Sequence, residues 1–286
     1  MAVFLGVLVA LSYGAGDFLG GLGTRAQSVF TVVGASQASA LALLVVVVPL
    51  EGAAVRWPDV GLGALSGVIG VVGVLLLYQG LATGAMGVVA PVTAVGAAVV
   101  PLGVGLATGE RPAVLALVGA VVALAAVALV ASGGAPGGTG PVEGDGRRAG
   151  AGSPLLLAVG AGVAFGLVFV LLGATDDEAG FWPLLGARTL SVSLLAAWLV
   201  RTRVPFLPRP GTRLVVVGAG LLDVTANALY LLAVREGLLS LVAVLSSLYP
   251  VATVVLARFV LGERLQPTQL AGLGLGLAGV TMIAAA

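Results

Sequence analysis

Long apolar runs constrain this chain more than any other feature of its sequence. Ten of them are each roughly 18–24 residues long, which is enough for a helix to cross a hydrocarbon core of about 30 Å. Transmembrane β-strands would instead give alternating segments of about 10 residues. Because backbone polar groups in lipid must be bonded within the spanning structure, only helices remain. The sequence therefore predicts an all-α integral membrane protein with ten transmembrane helices.

Composition supports this class and excludes several kinds of chemistry. The chain is 59% hydrophobic and only 9% charged, with a mean hydropathy of +1.19, whereas a soluble domain needs far more charge on its surface. The net charge of +1 gives no reason to expect a nucleic-acid partner. The absence of Cys and His excludes thiol catalysis, disulfides and imidazole bases. We therefore expect no cofactor and no metal site.

The connections between the apolar runs are short, with one exception. The expected spans are residues 3–22, 29–50, 60–82, 86–108 and 113–132, then 154–174, 181–200, 213–234, 238–261 and 268–285. Because no positive charge precedes the first run, we interpret it as a retained helix rather than a signal peptide. The exception is residues 133–153, which are rich in Gly and Pro and predict a flexible linker.

A repeated tripeptide indicates that the chain is one unit written twice. Gly-Glu-Arg occurs at positions 109–111 and again at 262–264, an offset of 153 residues (262 − 109). The same shift carries Gly84 onto Gly237. The predicted domains are therefore residues 1–132 and 154–286, joined by the linker. Since each half has five spans, the second half must cross the membrane with opposite polarity, as an inverted repeat.

The distribution of Arg predicts an orientation in the membrane. The odd-numbered connections hold most of the Arg residues outside the spans, among them Arg25 and Arg203, whereas the even-numbered ones hold only Arg56, Arg111 and Arg235. The positive-inside rule then places the odd-numbered connections in the cytoplasm and both termini outside.

The ten-span layout with a Gly-Glu-Arg turn after the fourth and ninth spans resembles the EamA domain family of the drug/metabolite transporter superfamily. The stretch from Ser246-Ser247-Leu248-Tyr249-Pro250 through the second Gly-Glu-Arg is similar to the most recognisable region of that family. The resemblance implies export of a small amino-acid-like or drug-like metabolite through a cavity shared by two five-helix repeats, in a bacterial plasma membrane. It also implies cytoplasmic termini, opposite to the Arg distribution.

Charged residues inside predicted spans are the first candidates for a substrate site. A charge near the bilayer centre costs on the order of 3 kcal/mol or more, so it normally faces a partner or a watery cavity. Asp223 lies deepest, and Asn227 and Tyr230 follow it on the same helix face. This polar stripe predicts either a cavity lining or hydrogen bonds between helices.

Two other charged positions extend this candidate site. Asp17 shares a helix face with Tyr13, although a place near the membrane interface is equally compatible with its position. Arg188 lies inside the seventh span and needs a carboxylate or a substrate anion. Its expected partner is Asp223 or Asp17, and a purely structural ion pair remains the alternative.

Uncharged polar residues at membrane depth complete the candidates. Gln37, Tyr78 and Gln79 can bond to neighbouring helices or contact a substrate. Tyr249 precedes Pro250, which should kink the ninth span and free backbone carbonyls toward the cavity. The acidic run at positions 176–178 could hold a divalent cation, but a short loop favours a surface turn.

These patterns favour a secondary transporter, not an enzyme, that exports a small molecule by alternating access between the repeats. Its expected partners are the substrate and the lipid bilayer, and it functions as a monomer or a homodimer. A proton is a candidate coupling ion because removal from water favours the protonated form of a carboxyl group. The alternatives are a membrane-embedded lipid-processing enzyme and a channel or scaffold without alternating access.

Overall fold

Helices account for all the regular structure in the described part of the chain, which comprises residues 1–82, 86–132, 153–262 and 264–286 of a computed structural model. The helices are α1 (Ala2–Thr24), α2 (Val29–Glu51), α3 (Trp57–Ala82), α4 (Met86–Ala107), α5 (Val114–Ser132), α6 (Pro154–Gly173), α7 (Trp182–Thr202), α8 (Arg213–Arg235), α9 (Leu239–Ser246), α10 (Tyr249–Leu261) and α11 (Pro267–Ala284). Two short 3-10 turns, Asp177–Ala179 and Pro210–Thr212, precede α7 and α8. The predicted linker lies outside the described residues, apart from Ser153.

These helices confirm the predicted all-α membrane class. Nine described segments are long and apolar enough to cross a membrane, with α9 and α10 counted as one segment over Leu239–Leu261. The apolar part of α4 that was compared in this way, Val92–Ala107, is shorter than these nine segments. The helix ends agree with the expected spans to within about three residues because turn residues punctuate the sequence.

Glycine and proline set several of these ends. Gly109 follows α4 with a φ of 104°, and Gly262 ends α10 with a φ of 69°. Both lie in the left-handed region, where a glycine lacks the Cβ clash of other residues. At the opposite ends, Pro154 and Pro267 occupy the first turns of α6 and α11, where the missing N–H has no helical partner to lose.

The ninth span is interrupted, as the Tyr249-Pro250 pair predicts. α9 ends at Ser246 and α10 begins at Tyr249, with Pro250 in its first turn. Pro250 has no N–H to bond to the carbonyl four residues earlier, so the helical hydrogen-bond ladder stops there. The break lies at membrane depth, in the middle of the Leu239–Leu261 segment.

Helices from the two sequence halves are mixed in two bundles. The first bundle consists of α3, α4, α6 and α7, in which α6 packs on both α3 and α4 and α7 packs on α3. The second bundle consists of α1, α2, α8, α9 and α10, in which α1 packs on α8, α9 and α10 and α2 packs on α8. The α5–α11 pair lies beside them. Each of these pairings in one bundle has its counterpart in the other when the two halves are exchanged.

Close backbone contacts hold each bundle together. In the first bundle, Gly67 of α3 lies against the backbone of Ala187 in α7, with no space for a Cβ atom. In the second, Gly220 of α8 lies against the carbonyl of Ser36 in α2, again without such space. Gly67 and Gly220 are themselves 153 residues apart (220 − 67). Small residues at these crossings let membrane helices approach closely and gain packing energy.

Candidate functional site

A cavity of about 340 Å³ lies among the transmembrane helices and is lined by residues from both sequence halves. Its described walls come from α1, α2, α3 and α4 of the first half and from α6, α7, α8 and α10 of the second. Leu172 and Leu184, both nearly fully buried, lie toward the side of the protein where both termini are found, here called the terminal side. Phe30, at the start of α2, lines the cavity toward the opposite side.

The guanidinium of Arg188 organises the polar part of the cavity. It donates hydrogen bonds to the Oδ2 atom of Asp223 on α8 and to the Oε1 atom of Gln37 on α2. The Arg188 side chain is only 12% exposed, whereas that of Asp223 is 38% exposed. The expected choice of partner for Arg188 is therefore resolved in favour of Asp223. This contact joins the middle of α2 and α8 to a point in the first half of α7.

Asn227 supports Asp223 from one helical turn further along α8. Its side-chain amide donates to the backbone carbonyl of Asp223 at 2.7 Å, and the residue is buried yet lines the cavity. The i, i+4 spacing explains the contact, because residues four apart share a helix face. The Asp223 carbonyl is thereby bonded to a side chain next to the charged site.

Asp17 and Tyr13 of α1 and Tyr249 of α10 form a second polar area on the cavity wall. The rings of Tyr13 and Tyr249 meet edge to face, with centroids 6.4 Å apart. Tyr13 also meets Phe169 of α6, at 6.2 Å. Asp17 follows Tyr13 by four residues on the same face of α1, and it lines the cavity with these aromatic rings.

Two predicted site residues stand apart from the described cavity lining. Tyr230 is fully buried, and its hydroxyl donates to the carbonyl of Phe169 at 3.1 Å. Its place on the polar stripe of α8 therefore reflects a hydrogen bond between helices, which was the alternative expectation. Gln79 is exposed on α3 and does not line the cavity. The side chain of Tyr78 lies outside the described residues.

Sequence reasoning missed several lining residues. Ser191 lines the cavity one turn after Arg188, and its hydroxyl lies 3.4 Å from the Oε1 atom of Gln37. Its i, i+3 spacing from Arg188 was a usable signal. Phe165 and Phe169 of α6 also line the cavity. They carried no signal, because an aromatic residue in an apolar span can equally well face lipid or another helix.

Comparisons with known proteins identify the second half. Residues 152–285 match the EamA-like transporter family. This half is an EamA-like transporter domain. A comparison with curated protein sequences gave no significant match. A solved structure titled "Crystal structure of protein" is similar with a TM-score of 0.77 and 18% identity, covering 98% of this chain and 95% of the other. The fold is therefore shared over nearly the whole chain.

The family match gives the second half a class of function. The EamA-like family consists of membrane transporters of the drug/metabolite transporter superfamily, and the helices of this half are long and apolar enough to cross a membrane. The match covers α6 to α11, which supply Arg188, Asp223 and Tyr249 to the cavity. The first half contributes Asp17 and Gln37 to the same cavity.

The first Gly-Glu-Arg turn connects the two halves of the protein. The Glu110 carboxylate accepts hydrogen bonds from the backbone N–H groups of Leu239 and Ser240, at 2.7 and 3.0 Å. These groups lie in the first turn of α9, where N–H donors lack helical partners and the helix dipole favours a negative charge. Glu110 therefore caps a helix of the other half. Glu263 lies outside the described residues.

An ion-pair network covers the terminal side of the protein beyond Leu172 and Leu184. Arg56 pairs with Asp59 at 3.2 Å and with Asp176 and Glu178 at 3.0 Å each. Asp59 lies on α3, and Asp176 and Glu178 lie in the α6–α7 connection, so Arg56 links the start of α3 to that connection. The acidic run expected to form a surface turn is therefore engaged with arginine.

A second set of contacts on the same side links the two bundles. Arg235, at the end of α8, donates to the carbonyl of Gly180 at 2.8 Å and pairs with Asp177 at 3.4 Å. The Glu51 carboxylate, at the end of α2, accepts from the backbone N–H of Phe181 at 2.9 Å. Both contacts join the second bundle to the α6–α7 connection.

Proposed function

We propose that this protein is a secondary transporter that exports a small metabolite across the plasma membrane by alternating access through the cavity between its two repeats. The observation that carries the proposal is the Arg188–Asp223 pair inside a cavity lined by both halves. A buried ion pair contributes little net stability compared with apolar packing. A charged pair at membrane depth is better accounted for by a polar substrate path.

The symmetry of the helix pairings supports the two-repeat architecture. The α6–α3 and α6–α4 pairings of the first bundle correspond to the α1–α8 and α1–α10 pairings of the second. Inverted repeats of this kind allow one arrangement of bundles to open toward one side and its symmetric counterpart toward the other. The moving units we propose are the two mixed bundles, rather than residues 1–132 against residues 154–286.

The contacts on the terminal side support a state that is closed there. The Arg235 contacts with Gly180 and Asp177, and the contact of Glu51 with Phe181, join the bundles beyond the buried end of the cavity. Opening this side would break these polar contacts and expose the groups that make them to water. The net cost is small, because each hydrogen bond lost within the protein is replaced by hydrogen bonds to water.

Export is supported by the charges at the two sides. The described connections opposite the termini carry Arg25, Arg203, Arg209 and Arg264, which the positive-inside rule places in the cytoplasm. A cavity closed on the terminal side would then load from the cytoplasm.

A Thr108→Cys variant places the only thiol of the chain on the terminal side. An impermeant thiol reagent should label this thiol in intact cells. Labelling only after lysis would show that the terminal side faces the cytoplasm, opposite to the proposed orientation.

Transport itself is tested with Asp223 variants. Metabolite profiles of cells with and without the protein identify the exported compound, and its flux is then measured in proteoliposomes. Asp223→Asn and Asp223→Ala should each reduce this flux at least tenfold while the protein still folds. Full flux in both variants would remove Asp223 from the site. Single-channel currents would indicate a channel, and substrate turnover without flux would indicate an enzyme.

Alternating access is tested with a single thiol inside the cavity. Val168 lines the cavity on α6 and is partly exposed, and the chain has no Cys that would compete for the label. Val168→Cys should react with an impermeant reagent from the side opposite the termini. Saturating substrate should change the labelling rate from the terminal side and the rate from the opposite side in opposite directions. Equal, simultaneous access from both sides would contradict alternating access.

A further inference from the structure

The charges in the cavity do not balance. The described lining contains one cation, Arg188, and two carboxylates, Asp17 and Asp223. Arg188 is engaged with Asp223 and Gln37. Asp17 lines the same cavity without a hydrogen-bond or ion-pair partner in the described part of the chain. Among the described residues, one carboxylate in the cavity is therefore left without a counter-charge.

We propose that Asp17 binds the cationic group of the substrate and that the transported class is small organic cations with an apolar or aromatic body; this rests on the transport function proposed above. A carboxylate at membrane depth is costly unless it is paired or hydrated. A cationic substrate supplies the missing counter-charge. An anionic substrate would instead add a negative charge to a cavity whose described lining holds two carboxylates and one cation.

The surroundings of Asp17 fit such a substrate. Tyr13 and Tyr249 line the cavity next to Asp17, and the faces of aromatic rings attract ammonium and guanidinium groups. Phe30, Phe165 and other apolar side chains form much of the remaining wall. A ligand with a cationic head and an apolar body can therefore place its head at Asp17 and its body against these rings.

The state of Arg188 argues against zwitterions such as ordinary amino acids. A zwitterion needs a free cationic partner for its carboxylate, and Arg188 is the one cation in the described lining. Its guanidinium is mostly buried and already bonded to Asp223 and Gln37. A substrate carboxylate would have to displace Asp223 and leave that residue unpaired. A simple cation requires no such exchange.

Asp17 is also suitably placed for the first contact with a substrate. It lies seven residues before the end of α1, which corresponds to about 10 Å along the helix. That end of α1 is on the side opposite the termini, away from the contacts of Arg235 and Glu51. A cation entering from there meets Asp17 before it reaches the Arg188–Asp223 pair.

A matched ligand series tests the proposal. Phenethylamine, phenylacetamide and phenylacetate share a benzyl group but are cationic, neutral and anionic at pH 7. Their binding to the purified protein in nanodiscs is measured by equilibrium dialysis, with empty nanodiscs as the blank. The wild-type protein should bind the amine about tenfold to hundredfold more tightly than the amide, as expected for one charge-assisted hydrogen bond. Asp17→Asn should abolish this preference.

Glu236→Gln is the matched control, because it removes one carboxylate from an exposed position outside the cavity. It should keep the wild-type preference. Equal binding of amine and amide by the wild type, a preference for phenylacetate, or no amine binding up to about 10 mM would each overturn the proposal. So would an unchanged preference in Asp17→Asn. Flux of a neutral or anionic metabolite would refute the cation assignment and leave the transport function standing. Cation binding without any flux would refute the transport function and leave the cation assignment standing.

Discussion

The two members of the Arg188–Asp223 pair should contribute unequally to stability. The Arg188 side chain is 12% exposed and the Asp223 side chain is 38% exposed. Asp223→Asn therefore leaves a buried guanidinium without its carboxylate. Arg188→Met leaves a carboxylate that water in the cavity can hydrate. We expect the first variant to be the more destabilised of the two.

The magnitudes follow from this difference in exposure. Two unit charges about 4 Å apart interact by about 4 kcal/mol at an effective dielectric constant of about 20. Water at Asp223 screens this interaction, so we expect a coupling free energy of about 1–2 kcal/mol. Asp223→Asn should lower the free energy of unfolding by about 2–3 kcal/mol, near the lower end for breaking a buried pair. Arg188→Met should lower it by about 1 kcal/mol, because its remaining partner stays hydrated.

A double-mutant cycle separates the pair from its surroundings. Unfolding by SDS in mixed micelles is followed by the fluorescence of the three Trp residues, two of which, Trp182 and Trp198, are on α7 with Arg188. The free energies of both single variants, the double variant and the wild type give the coupling. A larger loss for Arg188→Met than for Asp223→Asn, or a coupling near zero, would refute the reasoning from exposure.

Three further variants test other contacts. Glu110→Ala should lower the free energy of unfolding by about 1–2 kcal/mol, because two N–H groups of α9 lose their cap; an unchanged midpoint would exclude the cap. Gly67→Ala should be strongly destabilising at the α3–α7 crossing, whereas Gly61→Ala on the same helix has open space and should stabilise by up to about 1 kcal/mol. Arg235→Gln weakens a contact between the bundles, so it should raise labelling of the Val168→Cys thiol from the terminal side more than Arg56→Gln does. The opposite order would argue against Arg235 as part of the closure.

The helices were predictable because length and apolarity decide a membrane span almost alone. The position of the break in the ninth span was predictable as well, since Pro250 removes a hydrogen-bond donor. Which helices pair was not, because the apolar runs look alike on every face and lipid favours no particular partner. The mixed bundles depend on close crossings such as Gly67 against Ala187, and one sequence gives no indication of the partner.

The same limit explains the outcome for individual site residues. Asp17, Arg188 and Asp223 were found because a charge in a span needs a reason to be there. Tyr230 shares the helix face of Asp223, but its hydroxyl donates to the backbone carbonyl of Phe169 and the residue does not line the cavity. A tyrosine hydroxyl is satisfied by any nearby carbonyl, so spacing alone does not separate a cavity wall from a contact between helices.

The kinds of contact within and between the bundles differ, and this difference bears on how the protein could move. Within each bundle, glycine crossings such as Gly67 against Ala187 and Gly220 against Ser36 hold backbones together without intervening side chains. Separating such surfaces forfeits packing that neither water nor lipid restores. The contacts between bundles include polar ones: Arg188 with Gln37, Glu110 with α9 and Arg235 with Gly180. Water or a substrate can replace these at small net cost. Relative motion is therefore least costly along the boundary that passes through the cavity.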